Sequence, residues 1–170
     1  MARHPRSRIG RSPSGLQRHG IPVVSTMLGS LTPILPMIAT APLMPPWGLL
    51  VFIGWRMLHR NLWPVWMGLP LGFFDDMFSG QPLGSAMMLW TLALLGLDLL
   101  DRRMIWRDFR QEWAIAGGLI IAILLIQLLI TYTNGGATNP LYLVPQIAMS
   151  ILAFPLVARV CAAMDDWRLR

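Results

Sequence analysis

Four stretches of the chain carry no charged side chain: Gly20 to Trp55, Asn61 to Phe74, Met77 to Leu97 and Trp113 to Ala158. Runs of that length do not persist as loops in water, and several exceed the roughly 20 residues that cross about 30 Å of hydrocarbon as helix. Prolines, glycines and short polar groups divide them into six predicted spans. The first runs from Ile21 to Ala41 and the second from Trp47 to Trp63, separated by Pro42, Pro45 and Pro46. The others run from Leu62 to Phe78, Leu83 to Leu97, Trp113 to Ile130 and Leu141 to Ala158. Arg56 interrupts the second span and is expected to snorkel toward Arg60 and the interface.

Charge placement orients the spans. All fourteen basic residues are Arg. Five precede the first span, Arg56 and Arg60 mark the second turn, Arg102, Arg103, Arg107 and Arg110 the fourth, and Arg159, Arg168 and Arg170 the end. The connections at 42–46, 75–82 and 131–140 contain none. With both termini cytoplasmic every arginine faces inward, which requires an even number of crossings. Four crossings meet the same condition if one short hairpin only dips into the bilayer. The expected fold is therefore an all-α, polytopic six-transmembrane-helix bundle.

Composition agrees: 55% of residues are hydrophobic and 13% charged, and mean hydropathy is +0.54. The formal charge of +6 would suit nucleic acid in a soluble protein. Here the arginines sit at the ends of apolar runs, so charge reports topology and no nucleic-acid partner is expected. Cys161 is the sole cysteine, which excludes an intramolecular disulfide. Residues 1–20, rich in Arg, Gly and Pro, are expected to form a disordered cytoplasmic arm, and 159–170 a short cytoplasmic tail. Ala39-Thr40-Ala41 is similar to a signal cleavage site, but the apolar run before it is too long and Pro42 follows it, so an uncleaved span is expected. Tryptophans and tyrosines fall near predicted interfaces, as an anchoring belt does, except Trp90 in mid-span.

The segment 98–112 is the one sizeable polar connection. Ile105, Trp106, Phe109 and Trp113 share a helical face opposite Arg103, Arg107, Arg110, Asp108 and Gln111, which predicts an amphipathic helix on the inner membrane surface. Lipid anchoring and docking of a cytoplasmic partner both fit it.

Candidate chemistry is sparse. His4, His19 and His59 lie at flanks without metal-ligand spacing, and no nucleophile elbow or phosphate-binding loop occurs. No catalytic residue, metal site or cofactor is predicted. The informative segment is Gly68 to Gly84, where Gly68, Gly72, Asp76, Gly80 and Gly84 recur every four residues. Such a small-residue stripe permits close backbone approach between membrane helices, and the Asp76 carboxylate would point into the bundle. Two roles remain open for Asp76: capping backbone amides at the Ser79-Gly80 turn, or contacting a partner or ligand.

The pattern Gly72-x-x-x-Asp76-x-x-Ser79-Gly80-x-x-Leu83-Gly84, with Pro45-x-Trp47-x-Leu49-Leu50 opening the second span, resembles the rod shape-determining protein MreD family. Length, the Arg-rich start and the six-span layout agree over nearly the whole chain. The adjacent Asp75 departs from the family pattern, which has a single acid at Asp76. The resemblance implies a non-catalytic component of the bacterial cell inner membrane, part of the cell-elongation machinery. It further implies association with the single-pass scaffold MreC and, through it, with the actin-like MreB filament, RodA and a penicillin-binding transpeptidase. It also implies a fold similar to the substrate-binding subunits of energy-coupling-factor vitamin transporters. On this reading Gly68, Gly72, Asp76, Ser79, Gly80 and Gly84 form a partner-binding groove, and Arg103, Arg107 and Arg110 meet a filament or anionic lipid. The alternative is a solute-binding transporter subunit with an outward pocket near Asp76 and Asn134-Gly135-Gly136.

Overall fold

The structure, a computed structural model, describes residues 15–34, 44–103, 108–136 and 140–169. Six α-helices and three short 3-10 turns make up the described regular structure, and no strand occurs among those residues. The helices are α1 (Gly15–Ser30), α2 (Trp47–Leu58), α3 (Gly68–Ser79), α4 (Ser85–Arg103), α5 (Phe109–Thr133) and α6 (Leu143–Leu169).

Side-chain contacts fix how they alternate. The end of α1 meets the start of α2, where Gly29 lies against the backbone of Trp47 and Gly48. Arg56 near the end of α2 pairs with Asp98 and Asp101 near the end of α4, and His59 just beyond α2 bonds Asp165 near the end of α6 at 2.9 Å. Thr131, closing α5, bonds Gln81 between α3 and α4. Successive helices thus run in opposite directions. The described arginines from Arg56 to Arg168 lie toward one end, with Trp47, Asp75, Thr131 and Leu143 toward the other.

Two of the six helices, α5 and α6, are long and apolar enough to cross a membrane. At 12 residues each, α2 and α3 extend only about 18 Å, short of a full hydrocarbon crossing. The second predicted span stops at Leu58 because His59 turns to extended backbone, and the chain folds back so that Leu62 and Trp63 enter the core. The third begins its α-helix only at Gly68, after Pro64 and a 3-10 turn.

Helix limits differ from expectation at three further places. α1 already begins at Gly15, inside the predicted arm, and carries Pro22 within it. The Ser25 and Thr26 hydroxyls donate to the Pro22 carbonyl at 3.1 and 2.8 Å. α6 continues through the predicted tail to Leu169, held there by Cys161, buried against Gly54, and by Asp165 on His59. The described parts of the predicted surface helix belong to the end of α4 and the start of α5, while residues 104–107, including Arg107, lie outside the described residues. The arm's first 14 residues and the 35–41 part of the first predicted span also lie outside them.

The core sits around α2. Leu50, Phe52, Ile53 and Trp55 are completely buried, against Trp63, Leu89, Trp90 and Leu94. Phe52 is stacked between Trp90, with ring centroids 4.6 Å apart, and Trp63, at 5.9 Å. Trp55 donates its indole N–H to Ser25 Oγ at 2.9 Å. Trp55 and Trp63 are therefore core residues, not members of an interfacial belt, whereas Trp66 and Trp167 are exposed. Packing around α2 explains the difference: an aromatic near a helix end is drawn inward when the next segment folds over it.

Candidate functional site

The first turn of α4 needs partners for its leading amides, which have no acceptor inside their own helix. Ser85 N–H finds the Pro82 carbonyl at 3.1 Å. Those of Ala86 and Met87 donate across to the Asp76 carboxylate at 2.9 and 3.3 Å. The Gly84 amide, at 2.9 Å, and the Ser85 hydroxyl, at 3.1 Å, complete four donors to two carboxylate oxygens. A carboxylate offers about four lone-pair sites, and Asp76 uses its capacity in full. Its negative charge also meets the positive end of the α4 macrodipole. Of the two roles left open, the structure displays capping, of α4 rather than of the Ser79-Gly80 turn.

The glycines N-terminal to Asp76 face the same helix. A Cβ at Gly68 would come within 2.7 Å of the Thr91 backbone, and one at Gly72 within 2.6 Å of the Met87 backbone. Gly68, Gly72 and Asp76 therefore seat α4 against α3, with two glycines admitting the neighbouring backbone and the carboxylate locking its first turn. The groove expected for a partner's helix is, along this part of its length, occupied by the chain's own α4.

Further along, the stripe leaves the helix. Gly80 ends α3 at φ 67° and Gly84 precedes α4 at φ 96°, both left-handed conformations that favour glycine. Neither has another atom where a Cβ would project. Ser79 Oγ is buried and has no hydrogen-bond partner among the described residues. At the opposite end Arg103 and Arg110 are exposed. The predicted set therefore divides into an internal clasp, a turn, and a distant basic surface.

Two arrangements escaped the reading of the sequence. Arg56 does not snorkel: only 3% of its side chain is exposed, and its guanidinium bonds Asp98 and, at 2.8 Å, Asp101. The signal available was the spacing of those acids, three residues apart on one face of α4, beside a lone base in an apolar run. The second is a cavity of about 360 Å³ at the end away from the arginines, lined by parts of all six helices and the turns beside them. Asp75 is the sole charged residue among its described lining, and the Ser30 hydroxyl adjoins its carboxylate. No comparable signal marks the cavity in the sequence, because its walls come from helices far apart in the chain.

Among the described residues no three His, Cys, Asp or Glu side chains gather as a metal-ligand set. A family model described as rod shape-determining protein MreD matches residues 21–162. Neither a curated protein nor a solved structure matches the chain, so nothing in these comparisons supports the expected likeness to energy-coupling-factor subunits.

Proposed function

The chain belongs to the rod shape-determining protein MreD family, and from that membership we propose that it works as a non-catalytic inner-membrane component of the bacterial cell-elongation complex, binding the MreC scaffold. The family is a membrane family of structural components with a role in rod-shape determination. In the proposed arrangement both termini are cytoplasmic and the protein helps couple MreB filaments, RodA and a penicillin-binding transpeptidase to lateral peptidoglycan synthesis.

The observation that carries the partner-binding part is the two-sided character of α3. Its small face is closed by α4, while Leu69, Phe73 and Met77, also four residues apart, are all exposed on the other side. A scaffold's transmembrane helix would lie along that row, flanked by the Gly80 and Gly84 turn at one end of the hairpin. Interhelical hydrogen bonds in membranes contribute only about 0.6 kcal/mol each, so affinity must come from extended van der Waals contact. At the other end Arg103, Arg107 and Arg110 would meet a filament or anionic lipid.

Purification from native membranes in mild detergent, with mass spectrometry of co-eluting proteins, tests the whole reading. Recovery of an MreC-like scaffold with wall synthases is the expected result. Recovery of an ATPase and a bound solute in their place would sink it and establish the transporter alternative. Phe73→Ala with Met77→Ala then tests the surface: the double variant should recover several-fold less scaffold from equal amounts of folded protein, and equal recovery would remove α3 from the interface.

A further inference from the structure

The cavity beside Asp75 has the size and lining of a ligand site. Its volume of about 360 Å³ lies within the range of small-molecule pockets, roughly 300–1,000 Å³. Leu89, Trp90 and Leu124 form its apolar wall, with Trp47 beside them. Gln81, Gln127 and Thr131 bring amide and hydroxyl groups to the same space. The Thr131 hydroxyl lies 2.9 Å from the Gln127 carbonyl and 3.2 Å from the Gln81 side-chain amide, which holds these groups together across the gap between α5 and the α3–α4 turn. The Ser79 hydroxyl, also on the lining, is buried with no partner among the described residues.

The charge balance selects the ligand. Asp76 is committed to α4, whereas the Asp75 carboxylate next to it stands beside the Ser30 hydroxyl at the cavity, and no basic residue is among the described lining. A carboxylate in a cavity otherwise lined by neutral side chains attracts a cation and repels a phosphate or carboxylate. Acceptor oxygens on Gln81 and Gln127 suit a donor with several N–H groups. We propose that the cavity binds the primary ammonium group of a small molecule, held by Asp75 with Gln81 and Gln127 and with its aliphatic part against Trp90 and Leu124. Two sources supply that chemistry: an aminophospholipid headgroup, and a free amine from the aqueous side. The site concerns the chain alone and does not depend on the scaffold-binding reading.

The test uses the full chain without partners, in nanodiscs of equal parts phosphatidylethanolamine and phosphatidylglycerol, analysed by native mass spectrometry. Calorimetric titration with ethanolamine in nanodiscs of phosphatidylglycerol alone forms the second arm. If the lipid is the source, retained adducts are enriched in phosphatidylethanolamine and Asp75→Asn lowers that enrichment about tenfold. If the free amine is the source, ethanolamine binds in the second arm and Asp75→Asn weakens it about tenfold. Should Asp75→Asn not fold, Gln127→Leu decides by the same readings, with a several-fold loss expected. Equal retention of both lipids together with no ethanolamine binding, or binding unchanged in the folded variant, overturns the proposal.

Discussion

Gly72 on α3 lies so close to Met87 on α4 that a single added methyl would approach the Met87 backbone to 2.6 Å. Real side chains do not tolerate that separation, so the two helices must part for anything larger than glycine. Gly72→Ala is therefore expected to destabilise the protein by about 2 kcal/mol, as overpacked sites do. Gly96 on α4 has open space where its Cβ would project, and Gly96→Ala should be neutral or stabilise by up to about 1 kcal/mol through helix propensity. Unfolding midpoints in detergent distinguish the pair, and equal midpoints would mean that α3 and α4 do not pack as described. It follows that loss of a partner in a Gly72 variant reports on folding first.

Asp76 should prove structural at the start of α4. Asp76→Ala strands the Ala86 and Met87 amides in a buried place, at a cost of about 1–3 kcal/mol. Asp76→Asn keeps one acceptor oxygen and should lose less. Hydrogen exchange supplies a local reading: amides 84, 86 and 87 should lose protection in Asp76→Ala before amides in the middle of α4 do. Uniform loss along α4, or none, would contradict the capping role.

Arg56 holds two carboxylates, and removing it alone leaves them facing each other near the core. Arg56→Met is expected to destabilise by about 1–3 kcal/mol, less than a fully buried pair would cost, because Asp98 keeps 35% of its side chain exposed and water screens it. Combining Arg56→Met with Asp98→Asn and Asp101→Asn removes the repulsion between the two carboxylates and should recover part of that loss. A triple variant no more stable than Arg56→Met would show that the arginine's packing, not its charge, is what matters.

Cys161 offers a probe of intactness. It is fully buried, its sulfur 3.2 Å from where a Cβ on Gly54 would sit, and it is the sole cysteine. A maleimide should label the folded protein negligibly and the denatured protein fully, and Gly72→Ala should shorten the labelling half-time at a fixed denaturant concentration. Rapid labelling of the native protein would mean that α2 and α6 separate readily.

Several features of this protein are local, and local features are legible in sequence. Helices follow from runs of apolar residues between Pro, Gly and polar breaks, and the four-residue repeat of Gly68, Gly72 and Asp76 places them on one helical face without reference to any neighbour. Arginines lie at the flanks because charge is excluded from the apolar runs, and their confinement to alternate connections is read directly from their order along the chain. Which surface covers each face is not local. The repeat alone fits a partner's helix as well as α4, and the outcome depends on whether the Gly80 and Gly84 turn brings α4 back within reach of the Asp76 carboxylate. Arg56 reads as snorkelling until Asp98 and Asp101, more than forty residues later, arrive beside it. Trp55 and Trp63 read as interfacial until the chain folds back after Leu58 and buries both rings. The Asp75 cavity is the extreme case, a space between all the helices that exists only once they are assembled. Pairings and cavities belong to tertiary structure because distance along the chain carries no cost once the helices pack, whereas periodicity and charge exclusion act within each segment before any neighbour is met.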